Sequence, residues 1–115
     1  MPPRDWRFRI EDILEAIAKI QRYVSGMGLD DFENDEEAVD AVIHNLTVIG
    51  EAANHIPEEV TSRHSEIPWR LMIDMRNLAV HGYWNLLPSV IWNTVQNDLP
   101  PLAEPLRQLL GDFPD

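Results

Sequence analysis

The spacing of apolar residues constrains this chain most. They recur at three- and four-residue steps almost throughout, and no run alternates cleanly at period two, so helices are expected and sheets are not. Ile10, Ile13, Leu14, Ile17 and Ile20 place a first helix over about Asp5 to Val24, with Ser25-Gly26 as its stop. Val39, Val42, Ile43, Leu46, Ile49, Ala53 and Ile56 form one broad face of a second, from about Asp35 to Ile56. Asp35, Glu36 and Glu37 suit its positive N-terminal end, and Pro57 closes it. A short turn over Glu58 to His64 is expected next, then a third main helix from Pro68 to His81, stopped by Gly82. Pro88 opens a fourth through Ile91, Trp92 and Val95, which Pro100-Pro101 must kink or break. The tail from Leu102 to Leu110 reads as weakly helical, with Pro105 near its start and Gly111 past its end. Short connections make the expected architecture all-α: an up-and-down bundle of four main helices plus short helical segments, one domain over residues 1–115.

Composition narrows the function. The chain has no cysteine, hence no disulfide framework and no thiolate metal site. Neither a signal peptide nor a membrane span is legible, so a soluble, cytoplasmic protein is expected. Twenty acidic residues against nine basic ones give a net charge of −11. That charge repels phosphate backbones at long range and disfavours an extended duplex-binding face, while favouring a basic protein partner. Local contact with a nucleic acid at a few arginines remains compatible with it.

The third helix carries more apolar surface than one core requires. On a helical wheel Leu71, Met72, Met75, Leu78 and Ala79 form one arc, and Ile73 and Val80 form a second strip. The strip runs between a stripe of Arg76 and Tyr83 and another of Asp74, Asn77 and His81. A second strip implies burial against another helix or against a second copy of the chain. The polar stripes beside it would then be partly desolvated, where an unpaired group costs a few kcal/mol. Two readings fit. In one, Arg76 pairs with Asp74 or Glu51 and His81 caps the helix C-terminus. In the other, Arg76 offers a fork of donors to a phosphate, His81 moves a proton near neutral pH, and Asn77 orients the imidazole. An Arg–His pair without metal suits RNA cleavage with the 2′-hydroxyl as nucleophile. Residues five apart point about 140° from each other, so Arg76 and His81 of one chain converge poorly. A twofold dimer packed through Ile73 and Val80 would bring one chain's arginine to the other's histidine.

Other candidates carry plainer readings. His44, Glu51 and His55 share a stripe with Asp40 and Thr47, but His44 and His55 are about 16 Å apart along the axis, too far for one metal ion. No cofactor or metal site is therefore expected. Small residues at Ala41 and Ala52, with Val48, allow close helix approach beside Glu51, whose carboxylate can face Arg76 as a structural tie or an orienting contact. Trp6, Trp69 and Trp92 suit packing, and Trp84 is the best candidate for exposure. Arg63, His64 and Arg70 can hold a phosphate or serve as surface charges.

Arg76-Asn77-Leu78-Ala79-Val80-His81-Gly82-Tyr83 resembles the signature of HEPN domains: an Arg, a polar residue, a His about a turn later, then any residue and a Tyr. Glu11-Asp12-Ile13-Leu14, Ile49-Gly50-Glu51-Ala52, Ile67-Pro68-Trp69, Trp92-Asn93-Thr94-Val95 and Asn97-Asp98-Leu99-Pro100 extend the similarity to the HepT-like branch over nearly the whole chain. The resemblance implies a HEPN-like helical bundle that dimerises, a metal-independent ribonuclease and the toxin of a type VII toxin–antitoxin pair. Its partner would be a small MntA-type nucleotidyltransferase that adds AMP to the motif tyrosine. By motif position Arg76 and His81 would be catalytic, Asn77 supporting and Tyr83 modified. The alternative is a non-catalytic acidic helical module that binds such a nucleotidyltransferase, and a weaker third reading is a nucleotide-binding pocket.

Overall fold

The protein is described by a computed structural model over residues 5–80 and 88–111, with Val80 through its backbone alone. Helix α1 spans Trp6–Tyr23. Asp5 begins it, its side chain accepting the Arg7 N–H at 2.9 Å, and such a cap contributes about 1 kcal/mol. The same carboxyl is held below its ordinary range, first by the hydrogen bond from the Arg7 side chain and then by that from the Arg7 backbone. Beyond the helix end Gly26 adopts φ 79°, a left-handed conformation that favours glycine. Ile10, Ile13, Ala16, Ile17 and Ile20 make the buried stripe expected of this helix.

The chain then forms a helix that apolar spacing did not announce, α2 at Leu29–Glu33. It has a single buried anchor, Phe32, whose ring meets Trp92 with centroids 5.3 Å apart at a 41° tilt. The Asp31 carboxylate accepts the Gly28 N–H at 2.9 Å and secures the start of the turn. Helix α3, Glu36–Asn54, follows its expected bounds closely, with Asp35 as the cap accepting Ala38 N–H at 3.0 Å. Helix α4 is the expected short turn, Glu58–Thr61. Helix α5 is Trp69–Val80. Pro68 stands one residue before it rather than inside it, its carbonyl accepting the first helical bond from Met72.

The C-terminal third departs most from expectation. The helix opened by Pro88, α6, ends at Asn93. It passes into a π-helical turn, Thr94–Asp98, closed by Leu99 N–H donating to the Thr94 carbonyl at 3.2 Å. Thr94 also turns its hydroxyl back to the Val90 carbonyl at 3.2 Å, a bond that competes with regular helix geometry. The diproline breaks the run, as expected, but it also starts a new helix. Pro100 opens α7, Pro100–Gly111, which contains both Pro105 and Gly111. The tail is thus a full helix rather than a weak one. Burial of Leu102, Leu106 and Leu109 outweighs the one ladder bond that Pro105 removes.

The described residues form an all-helical bundle. Helix α3 is its axis, packing most extensively on α5 and α1, while α7 packs on α1 and α2 bridges α3 and α6. None of the described helices is long and apolar enough to cross a membrane.

Candidate active site

The site is built where α5 crosses α3. Gly50 sits there in mid-helix, where glycine costs about 1 kcal/mol relative to alanine. A Cβ at Gly50 would overlap the Arg76 Cβ and lie 2.9 Å from the Met72 carbonyl oxygen and 3.0 Å from the Arg76 Cα. The two backbones approach as closely as they do because that carbon is missing. This role of Gly50 was not visible in the sequence, where the residue stood only as part of a family-like segment.

Close approach puts the Arg76 side chain against α3. Its Nε lies 2.6 Å from Glu51 Oε1. Nε is itself shielded from solvent, yet its N–H is not aimed at a hydrogen-bond acceptor, so the contact with Glu51 is ionic rather than a well-directed hydrogen bond. Nη1 donates to Asn77 Oδ1 at 3.2 Å. Among the described residues Nη2 has no hydrogen-bond partner. The Arg76 side chain keeps 32% of its exposure and that of Glu51 46%. A pair so open to water is worth at most about 1 kcal/mol. A phosphate can therefore compete for the guanidinium, and it offers the bidentate geometry that Glu51 does not provide here.

Of the two partners open to Arg76 in the sequence, Glu51 is the one it meets. Asp74 turns instead to Arg70, with Nε–Oδ1 3.2 Å, in an exposed pair one turn apart. Arg76, Asn77 and Glu51 thus come together. His81 and Tyr83 lie outside the described residues, as does Trp84. Ile73, half of the second apolar strip, is partly buried at the edge of an open groove, and the side chain of Val80 is not described.

Asp40 and His44 are exposed on α3, and His55 is exposed at its C-cap. His55 Nδ1 lies 2.7 Å from the Glu51 carbonyl, which requires the proton on that nitrogen if it donates. Among the described residues no three His, Cys, Asp or Glu side chains are grouped as a metal site would require. Trp69 is buried, donating Nε1–H to the His64 carbonyl at 3.1 Å. Trp6 and Trp92 pack against the core. The His64 ring faces Glu66 at 3.6 Å.

A groove of about 580 Å³ is bounded by the end of α3, by α4 and its following loop, and by the first half of α5, which it follows as far as Ile73, about one turn before Arg76. Asn54, Ser62, Ser65, Arg70 and Ile73 are among its lining. The sequence does not single out Asn54, Ser62 and Ser65, since a lone polar residue at a helix end or in a turn carries no periodic signal.

A helical protein with one partly solvated arginine lodged on a glycine-lined seam is the class these features define. The sequence profile of the Ribonuclease HepT-like family matches residues 13–109. The chain is 39% identical over 100 residues to a Thermococcus cleftensis protein named "Probable ribonuclease HepT", covering 87% of this chain and 91% of that one. It is 32% identical over 113 residues to a Methanocaldococcus jannaschii protein that carries an RNase name, covering 98% and 93%. An RNase-named protein of Caldanaerobacter subterraneus is 30% identical over 101 residues, covering 88% and 90%. No solved structure matches significantly. The chain belongs to the HepT-like ribonuclease family.

Proposed function

We propose that the chain is a metal-independent endoribonuclease, the toxin of a HepT/MntA-type toxin–antitoxin pair, acting in the cytoplasm as a homodimer. The observation that carries this reading is the state of Arg76. Its Cα and Cβ lie against Gly50, and its side chain is paired with Glu51 and partly open to solvent, within a family whose relatives are named as ribonucleases. In the reaction Arg76 binds the phosphate and stabilises charge gathering on its oxygens. The ribose 2′-oxygen attacks phosphorus, the bond to the 5′-oxygen breaks, and a 2′,3′-cyclic phosphate and a 5′-hydroxyl result. His81 takes the 2′-hydroxyl proton or supplies one to the departing oxygen. Asn77, bonded to Arg76, and Glu51 orient the guanidinium.

The Ile73–Val80 strip is the dimer seam in this reading, setting Arg76 of one protomer beside His81 of its partner. An MntA-type nucleotidyltransferase would silence the enzyme by transfer of AMP from ATP to the Tyr83 hydroxyl, with pyrophosphate leaving. The added charge and bulk beside Arg76 would exclude an incoming phosphate.

Subunit mixing tests the reading. Arg76→Ala and His81→Ala proteins, each inactive alone on RNA in EDTA, should regain about a quarter of wild-type cleavage when unfolded and refolded together. Half the dimers are then mixed and hold one intact composite site. Full activity in either single variant rejects the catalytic pair, and no recovery on mixing rejects the shared site. A wild-type protein that co-purifies with the nucleotidyltransferase yet cuts no RNA would be the acidic binding module instead.

A further inference from the structure

We infer that the groove between the end of α3, α4 and the first half of α5 is a subsite for single-stranded RNA, holding the one or two nucleotides next to the phosphate at Arg76. The inference rests on the ribonuclease reading and adds a substrate path to it. Continuity is the first argument. Arg70, Ile73 and Arg76 lie three residues apart and make one diagonal ridge of α5, while Asn54 follows Glu51 by three residues on α3. The groove and the arginine site therefore share both walls. From Arg70 to Arg76 the helix rises about 9 Å, the scale of a nucleotide step rather than of a duplex face.

The lining chemistry is the second. Asn54, Ser62 and Ser65 are exposed, and their side chains make no hydrogen bond among the described residues. Neutral amide and hydroxyl groups both donate and accept, so they suit ribose hydroxyls and base edges. Neutral recognition also fits a chain of net charge −11, which lacks the lysine clusters of a general phosphate-binding surface. Arg70 supplies the groove's cation. Its side chain is 80% exposed and its pairing with Asp74 is an exposed one, easily exchanged for a phosphate. Glu58, also in the lining, keeps a second phosphate away from the α4 end, so the groove holds a short segment with Arg70 as its outer anchor. Its volume, about 580 Å³, lies within the range of small-ligand sites and admits a nucleotide or two. Trp69 is buried beneath the groove and is not a stacking platform.

The test uses the full chain and an eight-nucleotide 2′-fluoro RNA, which has no 2′-hydroxyl nucleophile, with binding read by fluorescence anisotropy. Ser62→Asp with Ser65→Asp should weaken binding about tenfold, through repulsion within a Debye length, while leaving the melting temperature and dimer state unchanged. Arg70→Gln should reduce the slope of log K against log salt by about 0.7, the value of one phosphate contact on a single strand. In the same double variant, cleavage of a long natural RNA should lose efficiency through KM, with kcat little changed. Equal binding by wild type and double variant overturns the subsite, as does a wild type that binds no RNA. A double variant that turns monomeric while RNA affinity is unchanged overturns it too, and marks the groove as a contact between copies. Wild-type binding that the double variant weakens, without any cleavage of natural RNA, leaves the subsite standing and removes the ribonuclease reading instead.

Discussion

The two helices that pack most extensively on α3 are built to opposite rules. Helix α1 buries four isoleucines and an alanine, and its charged residues stay outside that stripe. Helix α5 buries Trp69, Met72 and Met75 and then sets Arg76 into the same contact zone, against a glycine. The buried stripe of the α1 side is apolar, worth roughly 1.5–3 kcal/mol for each isoleucine removed from water. The α5 side gives up part of that gain, through mid-helix Gly50 and a half-solvated ion pair, to hold a guanidinium at a fixed place. A protein that only needed to stay folded would have no use for the second arrangement. The difference is the one that the proposed ribonuclease site at Arg76 requires of α5.

Substitutions on the two sides should separate stability from activity. Ile13→Ala, deep under α1, should cost about 2–5 kcal/mol of unfolding free energy by urea titration, yet leave RNA cleavage per folded molecule as in wild type. A cleavage defect there would erase the distinction. Gly50→Ala should cost about 1–3 kcal/mol through overpacking, softened by alanine's better helix propensity, and should depress cleavage of the folded fraction as Arg76 is displaced. Glu51→Gln should move stability by less than about 1 kcal/mol, since the pair is partly solvated. If Glu51 orients Arg76, kcat should fall by roughly three- to tenfold with KM little changed. An unchanged kcat would leave Glu51 as a structural tie only.

What the sequence showed and hid follows the same division. The limits of α1 and α3 were legible because caps and apolar spacing are local: Asp5, Asp35, Gly26 and Pro57 sit where a helix end needs them. Helix α2 escaped notice because its five residues span barely more than a turn and rest on one buried ring. The strength of α7 was underestimated because Pro105 and Gly111 argue locally against a helix, while the burial that sustains it is tertiary. The diproline was read as a break and serves as one, but nothing in the pattern announced the π-helical turn before it.

At the site, Arg76, Asn77 and Glu51 were singled out from residue chemistry and family resemblance, and they do meet. The choice between Asp74 and Glu51 as partner was left open because helical spacing cannot say which side of α5 faces α3. Gly50 was missed for the same reason. A missing Cβ acquires meaning only when the helix that fills its place is known. The pairing of Arg76 with His81 lies outside the described residues and rests on the motif.

In the proposed function Arg76 is kept on the α3–α5 seam for chemistry rather than for stability. The most direct test is the rate of RNA cleavage per folded molecule for Arg76→Ala, measured in EDTA with the folded fraction fixed by denaturant titration. The prediction is a fall of about 100- to 1,000-fold, the usual cost of losing one charge-stabilising donor, with stability changed by no more than about 1 kcal/mol. A variant that cuts RNA at the wild-type rate, or one whose only defect is that it fails to fold, would contradict it.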